Sequence, residues 1–267
     1  MAGTGTAKFT FTASGVTVDA EVKLPDRAVT VEEMLPVFYG VGGALVQIGA
    51  DAATAAGEQI SCRAGCGACC RQLVPLSEHE ARAISEMVLN MEEPRRTTIL
   101  LRFREAIRRV EQAGLRKDIE NIHLLENDKE VSRVGLAYFH LGVPCPFLED
   151  ESCSIHPERP MSCREYLVTT DPEHCKHPEQ RRTRGVLLPG KPSQVLSCFG
   201  DGGGERRHMI IPLILALQFA AANPAEAPTV PAHEMLKRFL EHMSREVNEA
   251  EEKLEQQEQE QREGRER

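Results

Sequence analysis

The sequence predicts a mainly α-helical protein with a small N-terminal β-hairpin, an irregular cysteine module embedded among the helices, and a helical C-terminal tail. Three observations predict it. Segments within residues 8–24 alternate apolar and polar side chains; stretches after Thr30 repeat apolar residues every three or four positions; and residues 145–204, rich in Cys, Pro, Gly, Asp and Glu, keep no period. At 267 residues the chain is long enough to bury a core without relying on staples for all its stability.

The elements follow in order. In "VTVDAEVKL" Val16, Val18, Ala20, Val22 and Leu24 share one face and Thr17, Asp19, Glu21 and Lys23 the other, which is a half-buried strand. "KFTFTA" alternates likewise before Ser14-Gly15, so the two runs predict an antiparallel hairpin that ends at Pro25. Thr30 and Glu33 have the spacing of a capping box, and Met34, Leu35, Phe38, Val41, Leu45 and Ile48 recur at helical intervals behind them. Ser77 and Glu80 repeat that signal for a helix with Ala81, Ile84, Met87 and Val88 on one face, closed before Pro94. The next helix buries Ile99, Phe103, Ala106, Ile107 and Val110, and Gly114 is placed to end it. "MIIPLILALQFAAA", Met209 to Ala222, reads as a buried helix too short for a bilayer. Leu236, Leu240, Met243, Val247, Ala250 and Leu254 form a short heptad seam, better suited to docking on the chain's own core than to a free-standing dimer. Beyond Glu255 apolar residues almost vanish, and fraying is expected. The divisions are therefore 1–58, hairpin plus helix; 59–204, cysteine module with a helical insertion at about 77–140; 205–254, C-terminal helices; and 255–267, a charged tail.

Charge and leader signals narrow the setting. The amino terminus lacks the basic start and apolar run of a secretory signal, and a cytoplasmic protein without membrane contact is expected. The net charge of −9 argues against nucleic acid as a partner, although nine Glu against five Lys or Arg between Arg245 and Arg267 supply −4 of it. Residues 95–117 carry eight basic and two acidic side chains. A solvated helix face accounts for them, and this helix and the heptad seam are the two surfaces a protein partner would use.

Nine cysteines in a reducing compartment stay thiols unless a metal claims them, and an odd number cannot all pair within one chain. In "SCRAGCGACC" Cys62, Cys66 and Cys69 are spaced four and three apart, so a helix or tight turn would project their thiols from one side. Cys70 then points elsewhere, to a second metal or a different iron of a cluster. Gly65 and Gly67 remove bulk where the backbone turns close to sulfur. Cys145, Cys153, Cys163 and Cys175 make a second group. Eight thiolates repel one another unless a di- or trivalent metal offsets their charge and holds them deprotonated, so a metal-bound module of eight ligands is expected. Arg63, Arg71 and Arg164, each directly after a cysteine, are candidates to balance the negative charge. Cys198 reads as a small, partly buried apolar residue; His156, His174 and His177 could ligate but are superfluous beside eight thiols.

CxxxCxxCC at Cys62 to Cys70, followed by Cys145, "CSIHPERPMSCREY" and Cys175, resembles the YkgJ-like cysteine-cluster family, described as zinc- or iron-chelating proteins. All eight cysteines of that pattern are matched, together with Ile155, Arg159, Pro160 and Cys163 in "CSIHPERPMSC". The same module resembles part of flagellin lysine N-methylase. The resemblance implies zinc or iron, and the methylase tips the balance slightly toward an iron-sulfur cluster such as 4Fe-4S.

Two kinds of function compete. One is a metal-binding module that ties segments about 75 residues apart, since metal binding free energy becomes folding free energy. The other is a metal-dependent enzyme acting on a protein substrate, methylase-like, with no catalytic residue assigned. The CxxxCxxC spacing also occurs in radical S-adenosylmethionine enzymes, but Ala68 stands where those resemble one another in an aromatic, and no repeated strand-helix units follow. A disulfide-stapled or redox-switching protein would need an oxidising compartment, which nothing signals.

Overall fold

The computed structural model describes residues 4–13, 15–125, 127–225, 227 and 230–265. The chain opens with the hairpin: β1 (Thr4–Ala13) pairs antiparallel with β2 (Val16–Pro25), placing Phe9 opposite Ala20 and Ala7 opposite Val22. Leu24 and Phe11 are buried; the side chains of Val16 and Val18 lie outside the described residues. After β3 (Ala28–Val29), α1 (Val31–Ala55) starts at the expected capping box, in which the Glu33 N–H donates to Thr30 Oγ1 and the Thr30 N–H to Glu33. The second box, Ser77 with Glu80, opens α2 (Glu78–Leu89) behind β4 (Pro75–Leu76). α3 (Arg95–Gln112) ends as Gly114 turns at φ 72°, and α4 (Arg116–Glu120) and α5 (Asp128–His140) complete the helical insertion.

From Cys145 to Gly204 the chain makes only short pieces: hairpin β5 (Leu148–Glu149) and β6 (Ser152–Cys153), α6 (Met161–Glu165), 3-10 turns at His156–Glu158 and Pro172–Lys176, and α7 (Pro192–Ser197). The apolar run from Met209 departs from the single buried helix its composition predicts. Ile211–Pro212 forms β7 against β4, Leu213–Leu215 a 3-10 turn, and only Ala216–Ala222 the helix α8. Pro212 has no N–H to give a helix and biases the residue before it toward extended backbone. β8 (Val230–Pro231) pairs with β3, and α9 (Ala232–Arg265) closes the chain. α9 extends to Arg265 through a stretch rich in Glu, Gln and Arg, residues of high helix propensity. All four sheets among the described residues are antiparallel pairs, so the parallel barrel of radical S-adenosylmethionine enzymes is absent from them. Among the described residues no helix is long and apolar enough to cross a membrane.

Two cores carry the fold. The first joins the hairpin, α1, α7 and α9: Phe38 stacks on Phe239 with centroids 4.0 Å apart, and Phe199 meets both edge-on. Each fully buried Phe contributes about 1.5–3 kcal/mol. Leu236, Met243 and Val247 of the heptad seam are buried here, whereas the side chains of Ala250 and Leu254 lie outside the described residues. The second core gathers Ile84 and Val88 of α2, Ile99, Phe103 and Val110 of α3, Ile119, Tyr138, Phe147 and Ile211 to Ala216. On α3, Arg96 and Arg108 pair with Glu93 and Glu105, and Arg102 with Glu149, while Arg116 of α4 pairs with Glu120, so much of the basic charge of residues 95–117 is answered within the chain.

Polar knots fasten the frame. Arg82 of α2 donates to Glu32 of α1 and to Asp201, both at 2.6 Å, and buried His79 bonds the Phe199 carbonyl and Glu32. Burial raises the Glu32 carboxyl, but hydrogen bonds from His79 and Arg82 outweigh it and hold it at about 2. Glu32, His79 and Asp201 could together ligate an ion, yet the guanidinium of Arg82 already supplies the positive charge among them.

Candidate metal centre

The Cys62–Cys70 run is a turn that tightens into a 3-10 helix at Ala68–Arg71. Gly65 makes the turn at φ 80°. Gly67 is required for a different reason from the one its neighbours suggest: a Cβ there would lie 2.7 Å from Leu148 Cδ1 and Glu151 Oε2, so the glycine admits hairpin β5–β6 and not a sulfur. Arg71 locks that packing, donating to the Gly67 carbonyl at 2.8 Å and to both oxygens of Glu151 at 2.6 and 3.0 Å.

Backbone hydrogen bonds stitch the run to the distant cysteines at both ends. At its start the Ser61 N–H donates to the Val168 carbonyl at 2.9 Å, and Cys62 Sγ accepts from the Val168 N–H at 3.4 Å. At its end the Cys145 N–H donates to the Cys70 carbonyl at 2.7 Å. Cys153 lies on β6 opposite Leu148, Cys175 in the Pro172–Lys176 turn, and Cys163 on α6. The helix α6 is anchored by Glu80, whose buried carboxylate accepts from the Met161 N–H at 2.7 Å and the Tyr39 hydroxyl at 3.2 Å while capping Ser77. The sequence shows Glu80 only as a helix cap; its second role, fixing the helix that carries Cys163, comes from contacts 41 and 81 residues away.

Cys62, Cys66, Cys69, Cys70, Cys145, Cys153, Cys163 and Cys175 all line one cavity of about 360 Å³. One water occupies about 30 Å³ of liquid, so there is room for more than one ion. Cys198 is not among the lining residues. Most of the thiols sit where burial opposes a thiolate: burial and then Cys153 push Cys145 up to about 12, burial and then Cys62 push Cys175 up to about 11, and Cys163 is raised mainly by burial. Cys69 is the exception, held at about 7 chiefly because it accepts a hydrogen bond from Cys70, whose own thiol is raised in return.

The charge near the sulfurs does not come chiefly from the arginines that follow cysteines. Arg71 is engaged by Glu151; Arg164 bonds the Arg159 and Pro157 carbonyls and stacks 4.5 Å over the Tyr39 ring; Arg63 is exposed at the rim. Arg159 takes the part instead. It lines the cavity, its charge favours the thiolates of Cys62, Cys69 and Cys153, and its Nε is buried without a hydrogen-bond partner. An orphaned cationic donor facing clustered sulfur fits a centre with net negative charge. Among the histidines, His156 lines the cavity, while His174 bonds the Arg182 carbonyl and His177 bonds Glu173.

Eight soft thiols, an arginine with an unpartnered Nε and a cavity this size suit zinc or iron, metals that thiolate ligands select. Residues 61–181 match a protein-family model described as "CxxCxxCC: Putative zinc- or iron-chelating domain". No curated protein and no solved structure matches the chain significantly.

Proposed function

We propose that the protein holds zinc or iron through the thiolates of all eight cavity cysteines, a reading supported by the match of residues 61–181 to the model of a zinc- or iron-chelating domain. The observation that carries the reading is their convergence: two groups separated by the whole helical insertion line a single cavity. Bound zinc or iron would supply cross-linking charge there, and would turn metal affinity into stability of the segment from Cys145 to Cys175. Arg159 would offset the net negative charge, and Glu80 would keep Cys163 in place.

The finer reading is iron, as an iron-sulfur cluster. The resemblance of the module to that of flagellin lysine N-methylase favours it. Purification without oxygen, followed by elemental analysis, acid-labile sulfide and electron paramagnetic resonance, tests both levels. Iron with sulfide supports the cluster; stoichiometric zinc in colourless protein leaves metal binding and removes the cluster. Cys66→Ser or Cys163→Ser should lower metal content, whereas Cys198→Ser should leave it unchanged. Metal content in Cys66→Ser equal to that of the parent would overturn the ligand assignment.

A further inference from the structure

Sequence order groups the cysteines as 62–70 and 145–175, but packing groups them otherwise. Cys62 and Cys66 pack with Cys175, Ala68 and Val168 in one small cluster, separate from the core against which Cys145 and Cys153 pack. The hydrogen bonds agree: the Cys62 end of the run is tied to Val168, seven residues before Cys175, and the Cys70 end to Cys145. Backbone packing divides the same way. The 3-10 helix that carries Cys69 packs against the Pro172–Lys176 turn that carries Cys175. Hairpin β5–β6 joins Cys145 to Cys153, with Leu148 opposite Cys153 and the Leu148 N–H donating to the Cys145 carbonyl at 2.9 Å.

Resting on the metal-binding reading, we infer that the cavity holds two four-thiolate centres, one formed by Cys62, Cys66, Cys69 and Cys175 and the other by Cys70, Cys145, Cys153 and Cys163. The boundary between them runs through the Cys69–Cys70 peptide bond. Cys69 and Cys70 are consecutive, so each can serve one of two adjoining centres, and neither has to close a small ring with the other on a single ion. Four sulfurs complete the tetrahedral shell of a divalent ion and leave about two negative charges on each centre. Arg159, acting on Cys62 and Cys69 from one tetrad and Cys153 from the other, lies where it offsets both. Each tetrad also takes sulfur from both halves of the sequence, so neither centre forms from one segment alone.

The test is cobalt(II) titration of the metal-free protein without oxygen, followed by visible absorption and native mass spectrometry. The parent should take up two equivalents with the charge-transfer bands of tetrahedral sulfur ligation. Cys175→Ser and Cys163→Ser should each keep one full-strength site, a twofold fall. Adding Cys62→Ser to Cys175→Ser should cost no further site, whereas combining Cys163→Ser with Cys175→Ser should abolish both. One equivalent in the parent, or loss of all sulfur-ligated cobalt in either single variant, would overturn the partition while leaving metal binding intact. A parent that takes up neither cobalt, zinc nor iron would overturn the metal-binding reading itself. The parent's stoichiometry decides the question even where a variant does not fold, and circular dichroism of the helices identifies that case.

Discussion

Around Phe38, Phe199 and Phe239 three aromatic rings touch one another within a core built from the hairpin, α1, α7 and α9. Around the cysteines the buried apolar cluster consists of Ala68, Val168 and Cys175, with Cys62, Cys66 and Tyr166 packed partly against it. The helical frame is built from long helices whose faces meet in two apolar cores; the module between Cys145 and Cys175 lends those cores only separate side chains such as Phe147, Ile155 and Met161, and its shortest elements are two residues long. Apolar burial thus makes one region, and in the other, under the proposed function, sulfur coordination adds to it. The frame in turn positions the module, through Glu80 on α6 and through the backbone bond between Cys70 and Cys145.

Removing the metal is expected to expose that difference most. Structural thiolate sites contribute on the order of 10 kcal/mol, so chelation without oxygen should erase amide protection in residues 61–76 and 145–185 while α1 and the first turns of α9 keep theirs, as read by hydrogen exchange. Simultaneous loss of protection throughout the chain would show that the two regions are one cooperative unit. The reciprocal change is Phe38→Ala, which should cost the frame about 3–5 kcal/mol in chemical denaturation and leave the metal content of folded protein unaltered.

Where the regions meet, effects should be smaller. Gly67→Ala places a Cβ against hairpin β5–β6 and should cost about 1–3 kcal/mol, together with weaker metal binding measured by competition with a chelator. A sharper comparison comes from acid. The Glu32 carboxyl lies at about 2 in the fold against 4.5 when unfolded, so the stability it contributes is present above pH 4.5 and is lost as the pH falls toward 2. Acid unfolding of metal-free Glu32→Gln, followed by circular dichroism, should therefore be less steep across that interval than in metal-free parent. An unchanged slope would move the acid sensitivity of the frame to other carboxylates.

Much of the frame is legible along the chain. Alternation in residues 16–24 marks β2, the Thr30/Glu33 and Ser77/Glu80 spacings mark two helix starts, and Gly114 marks an end, because each signal lies within a few residues of the structure it specifies. Pro212 is the instructive failure: average apolarity reads as helix, whereas one missing N–H divides the run into strand, turn and helix. At the site, the eight cysteines announce themselves by type and spacing. Arg159 was visible only as part of the Arg-Pro pair in "CSIHPERPMSC", since standing next to a cysteine in sequence is no guide to standing next to sulfur in space.

By itself, then, the sequence determined which segments become strands and helices, which faces they bury, and which atoms are available to a metal. Tertiary structure alone decided that Cys175 joins Cys62 and Cys66, that Cys70 lies beside Cys145, and that Arg159 rather than Arg71 faces the thiols. The reason is range: periodicity and capping act over a turn of helix, but sulfurs about 75 to 113 residues apart meet only where the two packed cores bring their backbones together.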